Sequence, residues 1–463
     1  MPFFIRSGQK TQKPIDRKSF PYNFFKVRKR KNLDVDEIVS ADENTSEDES
    51  DFVKEPSGEE FEDVQETAFR KAKQLLKRLQ ASFTVVRIFF RESAEENNDG
   101  GETSEKTVAV RLKEEARSRI ATIQRKVADT VALETVCVQC RPHRLSVVAV
   151  VMSHDQRYLV SCSKDATVVK YDIEEGKKVR TLRYCKDNEN THKGCIYALA
   201  ISDDDRLLVT GGADTVIRIW DFDSFSHMKN LFGHKDTVTG LCFRISSHQL
   251  FSCSKDRTVK AWDLDQMGHI DTMFGYTEAV TDISVLMRCR VLTCGGQERT
   301  LRLWKVMEES QLVFNGYLGC ISVDCCALIN EDHFVSGSAD GSICIWSVFK
   351  KKPVCVQRLA HGESLDGQPN WLISIAASKY TDLVASGSCD GFVRFWKVAL
   401  DYKNISQLFF FGLKGFINSL QFSEDGSEVV CGVGQEHKAG RWWTQREAKN
   451  AVVLISLSSK DDQ

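Results

Sequence analysis

Six tryptophans beat a regular interval through the C-terminal part of the chain. Trp220, Trp262, Trp304 and Trp346 are spaced by 42 residues three times running, Trp396 and Trp442 follow after 50 and 46, and Tyr171 stands 49 before Trp220. A period of this size signals a small unit stacked on copies of itself, and here it gives seven units. Each runs through an apolar strand, Ser or Thr, a short polar turn with Asp, a second strand and then the aromatic: "LLVTGGADTVIRIWD" (207–221), "LFSCSKDRTVKAWD" (250–263), "FVSGSADGSICIWS" (334–347), "LVASGSCDGFVRFWK" (383–397). Alternation with turn residues between short runs is strand chemistry. A unit of this length holds about four strands.

The marker residues fit that reading. In the third unit His234, Ser252, Asp256 and Trp262 have the spacing at which Asp accepts from His, His bonds Ser, and Ser accepts from the indole N–H. A buried polar group without a partner costs about 1–3 kcal/mol, so such a structural chain is completed or replaced by apolar packing. His143 and His192 occupy the place of His234 in units one and two, and Tyr276 and Tyr317 take it in units four and five, so the chain reads as incomplete elsewhere. These histidines are expected to be hydrogen-bonded core residues, not metal ligands or bases. The "GH" at 233–234 and the "WD" at 220–221 and 262–263 resemble the WD-repeat family. That resemblance implies an all-β chain, a seven-bladed β-propeller over 135–458 whose closure removes open sheet edges. "TVCVQC" (135–140) and "AVVLISL" (451–457) both read as strands able to seal the last blade.

Ahead of the propeller the composition changes. Residues 1–31 carry ten Lys or Arg and one acid, whereas 34–63 carry fourteen acids and one base. Neither tract has the apolar content to offset the entropy of ordering, so 1–64 is expected to be a disordered tail, basic and then acidic. Lys26, Arg28, Lys29, Arg30 and Lys31 form a compact run suited to a nuclear import receptor or to phosphate. Residues 65–132 read as a helical segment with two amphipathic stretches: Phe69, Ala72, Leu76, Leu79 and Phe83 in one, Val108, Leu112, Ala116, Ile120, Ile123 and Val127 in the other. The β-branched and aromatic "FTVVRIFF" (83–90) between them fits neither. With no run near the roughly 18–20 apolar residues of a membrane helix and no leader pattern, an intracellular protein without a membrane partner is expected. Its sixteen cysteines then read as reduced thiols packed as small hydrophobes.

Signs of chemistry are sparse. No phosphate-cradling loop, zinc-protease motif or nucleophile elbow is present. The Cys137/Cys140 pair lacks the second pair that a structural zinc needs. Neither an enzyme, nor a cofactor, nor a metal, nor a small-molecule substrate is expected. A binding platform is. Turns joining second to third strands, and those joining blades, gather on one circular face of a propeller. There the sequence puts Lys164, Lys193, Lys235, Lys255, Arg257 and Lys414, with His437, Lys438 and Arg441 in a turn longer than its counterparts. A ring of cations is a phosphate-seeking surface.

The C-terminal third narrows the family. "EESQLVFNG" (308–316), "LINEDHFVSGSADGS" (328–342), "GFINSLQFS" (415–423) and above all "GVGQEHKAGRWW" (432–443) resemble the WD-repeat subunit of the U3 box C/D small nucleolar ribonucleoprotein. The acidic tract, "RLKEE" (111–115) and "AHG" (360–362) fit as well. The resemblance implies a nucleolar, non-catalytic protein that recognises U3 small nucleolar RNA together with the particle's small RNA-binding core protein. Its place would be among the box C/D core proteins and the small-subunit processome, acting on the precursor of 18S rRNA. Kinked, partly single-stranded RNA is read by shape, 2′-hydroxyls and phosphates, which suits a rigid disc with basic loops. His437, Lys438 and Arg441 are then expected to form a basic lip, with Gln435 or Glu436 in place of the blade aspartate. The alternative is a propeller adaptor for a peptide degron or histone tail, which would favour an acidic or aromatic-lined central channel.

Overall fold

The computed structural model describes residues 126–186, 190–364 and 367–459. The charged tail, the import run and the amphipathic stretches as far as residue 125 lie outside the described residues. Seven antiparallel sheets of four strands form the blades of a propeller. Blades 1 to 6 take their strands in chain order, spanning 147–182, 196–231, 238–274, 282–315, 323–357 and 372–412. The seventh is composite: Phe416–Phe422, Glu428–Gly434 and Ala451–Ser459 come from the C-terminal end, and Val131–Cys140 adds the outer strand. Both strands expected to seal the ring do so, 451–459 as the third strand of the blade and 131–140 as the fourth. Residues 131 and 132, expected at the end of a helix, are strand.

Two details show how the sequence sets blade spacing. The first strand carries a bulge near its start in six blades, as between Val238 and Gly240 or Val323 and Cys325, which strengthens the local twist where strands crowd the axis. Next, the small residues of "TGG", "SGS" and "CGV" sit where the neighbouring blade presses in. A Cβ on Gly387 would lie 2.5 Å from Ile417, and one on Gly211 2.8 Å from Val238. The resulting core runs between blades, with Trp262, Trp346, Phe251 and Phe395 fully buried. At the N-terminal approach, the backbone N–H groups of Val127 and Ala128 donate to Asp382 Oδ1 at 2.8 and 3.0 Å, which ties the lead-in to blade 6.

The seventh marker of the period is a false one. Trp442 lies in the loop between the second and third strands of blade 7 and is 64% exposed. The register puts Ile455 opposite Val429, the place that Trp262 holds opposite Leu250 in blade 3. Tyr171, by contrast, does stand at the third-strand position, opposite Leu159.

Candidate functional site

The polar chains come first, because they pin the loops of one face. In blade 3 Asp256 bonds His234 Nδ1 at 2.9 Å, His234 Nε2 bonds Ser252 at 2.8 Å, and the Trp262 indole donates to Ser252 at 2.8 Å. Blade 6 holds a second complete chain of His361, Ser386, Asp390 and Trp396. Blade 2 holds one in which Thr210 replaces the serine. The expectation that the chain is complete only in the third unit is therefore corrected. In blade 4 the Tyr276 hydroxyl meets Thr293 at 2.8 Å, which also accepts from Trp304, and Glu298 is held by Arg302. Burial keeps His192 below the usual imidazole range and pushes His143 down to about 4, so neither is a cation.

Blade 7 departs from this scheme, and its loop 435–450 makes the most unusual feature of the face. Lys164 reaches across from blade 1 and is buried under the loop. Its ammonium donates to the carbonyls of His437 at 2.6 Å and Gly440 at 2.9 Å and to Glu436 at 3.2 Å. Glu436 also pairs with Arg441 at 3.3 Å, and the Gln435 amide donates to the Ala448 carbonyl. Neither acid nor amide fills the role of the blade aspartate expected of it. Pinned in this way, the loop carries His437 to the mouth of the central channel. There the ring stacks on Trp371 with centroids 4.3 Å apart, lies 5.5 Å from Trp442, and meets Phe416 edge-on. His437 is 2% exposed. Burial, with Lys438 and Lys164 adding to it, pushes its pKa down to about 3.

The expected basic lip is thus corrected in two members. His437 is a neutral, buried aromatic, and Lys164 is spent on the loop. The structure leaves Lys438, half-buried beside the channel, and exposed Arg441, and brings exposed Arg446 and Lys449 onto the same loop. Lys193, Lys235, Lys255, Arg257 and Lys414 are exposed on turns of that same face. Sequence reasoning missed Arg446, Lys449 and Trp371. The last sits after a long insertion that hides its place at the rim.

The channel along the axis encloses about 480 Å³ and is lined by the first strands of all seven blades. Asp282 and Asp324 face it. Asp324 accepts from the Trp371 indole at 2.6 Å and from Ser322 at 3.0 Å, and Asp282 accepts the backbone N–H groups of Ile283 and Cys326. Burial raises both carboxyls above their ordinary range, and the Lys438 charge opposes that rise. At the opposite mouth His154, Asp203 and Glu424 place donor atoms within 4.8 Å of one another, but they are solvent-accessible and Lys379 stands 3.9 Å from Glu424. The turn acids Asp204 and Asp205 nearby link neighbouring blades: Asp205 accepts the backbone N–H groups of His154 and Asp155 of blade 1, and Asp204 bonds His248 of blade 3.

Seven four-stranded sheets, an N-terminal strand sealing the last, and His–Ser/Thr–Trp chains within individual blades define a WD-repeat β-propeller. The WD domain, G-beta repeat model matches at 135–172, 176–221, 225–263, 309–347 and 359–397. Beyond the class, the chain is 46% identical over 405 residues to the human U3 small nucleolar RNA-interacting protein 2, covering 86% of this chain and 82% of that one. It is 25% identical over 447 residues to the Saccharomyces cerevisiae ribosomal RNA-processing protein 9, covering 75% of this chain and 78% of that one. A solved structure of U3-55K superposes with a TM-score of 0.68 at 41% identity, covering 70% of this chain and all of that one. The chain belongs to the family of the U3 small nucleolar RNA-interacting protein 2.

Proposed function

We propose that the chain is a non-catalytic RNA- and protein-binding subunit of the U3 small nucleolar ribonucleoprotein, acting in the nucleolus on the precursor of 18S rRNA. Its partners on this reading are U3 RNA, the box C/D core proteins including the small RNA-binding one, and the small-subunit processome. The names of the relatives support it: one interacts with U3 small nucleolar RNA and another processes ribosomal RNA. The observation that carries it is the charge of one face. The chain as a whole has a formal net charge of -2, so affinity for phosphate has to be local. Locality is what the propeller supplies: Lys193, Lys235, Lys255, Arg257 and Lys414 from four turns join Lys438, Arg441, Arg446 and Lys449 on one circular face.

The test is a pull-down of the full chain from cell extract with sequencing of bound RNA, beside a Lys438→Ala/Arg441→Ala variant of matched melting temperature. U3 enriched by the normal protein and depleted by the variant supports the reading. In a binding assay the variant should also flatten log K against log salt, by about 0.7 for each phosphate contact removed. One observation favours the second reading, a peptide or histone-tail adaptor: Asp282, Asp324 and Trp371 line the channel. Recovery of no U3 by either protein puts that reading first.

A further inference from the structure

The channel mouth under loop 435–450 holds a buried donor and a buried acceptor that the protein does not satisfy. The backbone N–H of Ala439 donates to His437 Nδ1 at 3.1 Å, which occupies that lone pair. A neutral ring must then carry its proton on Nε2, and Nε2 has no partner. Asn418 has the converse problem. Its amide nitrogen donates to the carbonyls of Val147 at 2.8 Å and Glu436 at 3.0 Å, which fixes which way the amide points and leaves Oδ1 without a partner. Both residues are 2% exposed, both line the channel, and Asn418 is bonded to the residue that precedes His437. An orphaned buried polar atom costs about 1–3 kcal/mol, so two in one wall imply something that answers them.

We infer that the channel mouth is a pocket for a nucleobase extruded from single-stranded RNA. The lining selects the class. Two carboxylates, Asp282 and Asp324, face two ammonium groups, Lys438 and Lys255, so the pocket has no unbalanced charge to offer a phosphate or a lone cation. An ammonium or guanidinium lacks the acceptor that His437 Nε2–H requires. A base edge carries donor and acceptor side by side and can meet His437 and Asn418 together. Its apolar faces suit the aromatic rings in the lining, Trp371 ahead of blade 6 and Tyr197 of blade 2, and bases stack on such side chains in a sequence-tolerant way. The channel as a whole encloses about 480 Å³, more than a base with its sugar occupies. This rests on the RNA-binding reading above and specifies how that face takes one nucleotide.

The experiment titrates the full chain with AMP, GMP, CMP and UMP, and with ribose 5-phosphate as the baseless control, by saturation-transfer NMR. Two variants accompany it. Ala439→Trp fills the mouth from an exposed loop position, and His437→Phe keeps the stack but removes the donor. At least one nucleotide should bind, with ribose 5-phosphate weaker by about ten-fold and each variant weakened by a similar factor at unchanged melting temperature. Equal binding of ribose 5-phosphate, no nucleotide binding, or binding untouched by Ala439→Trp overturns the inference, and a lysine-rich peptide that binds where nucleotides do not makes the pocket a peptide site. The two readings separate. Salt-dependent RNA affinity lost with Lys438 and Arg441 but no nucleotide in the channel leaves the proposed function standing alone. Nucleotide binding without RNA affinity does the reverse.

Discussion

His437 shows how far position overrides residue type. Its sequence neighbours mark it as part of a cationic cluster, yet stacking on Trp371 and burial beneath the loop hold it neutral, with a pKa near 3. The consequence for stability has a definite sign. Because the folded pKa lies below the ordinary value of 6.5, the contribution of the neutral ring is complete above pH 6.5 and is lost as pH falls from there towards 3, while the unfolded chain takes up a proton that the fold refuses. His143 acts in the same direction down to about 4. Urea titrations at pH 7 and pH 5 should therefore show the His437→Phe variant losing less stability than the normal protein, by about 1–2 kcal/mol. An equal loss in both would mean that His437 does not titrate in that window. At this scale the sequence was legible for His234, Ser252, Asp256 and Trp262, and it holds the same offsets for His192, Thr210, Asp214 and Trp220, where threonine in place of serine hid a second complete chain. It was not legible for His361, whose strand begins at Leu372 instead of four residues later, because the insertion between them breaks the offset.

At the scale of the strand, register outranks period. Trp442 continues the count of tryptophans but sits in a loop, and Ile455 takes the packed place because Ala451–Ser459 pairs with Glu428–Gly434 in the register the other blades use. The two positions should respond in opposite proportion to their size. Ile455→Ala removes a side chain 1% exposed between strands and should cost about 2–5 kcal/mol of unfolding free energy. Trp442→Ala removes a ring 64% exposed and should cost no more than about 1 kcal/mol, the worth of an aromatic contact. Denaturant midpoints of the two variants decide it, and a larger loss for Trp442→Ala would restore it as a blade marker. The loop insertion that misled the count is what delivers His437 and Lys438 to the channel.

For the whole molecule, the decisive event is closure. Strand Val131–Cys140 pairs with Ala451–Ser459 across more than three hundred residues of chain, as at Val131↔Ser459 and Cys140↔Val452. Removing 126–140 would leave the third strand of blade 7 with an unpaired edge, which is a template for association. Size-exclusion chromatography should show oligomers or aggregate in place of a monomer, and a monodisperse variant with an unchanged melting temperature would show that the ring is sealed without it. The sequence by itself determined the repeat, the four-stranded unit and the bonding residues of blade 3, because strand alternation, turn chemistry and local hydrogen bonding act over a few residues; it reached the count of seven through Trp442, which is not a blade residue. Only the tertiary structure decided which terminal strand lies outermost, that Lys164 serves the blade 7 loop, and that His437 lines a channel as a neutral ring. Those outcomes depend on burial and on partners brought together from distant parts of the chain, and neither is encoded in the spacing of neighbours.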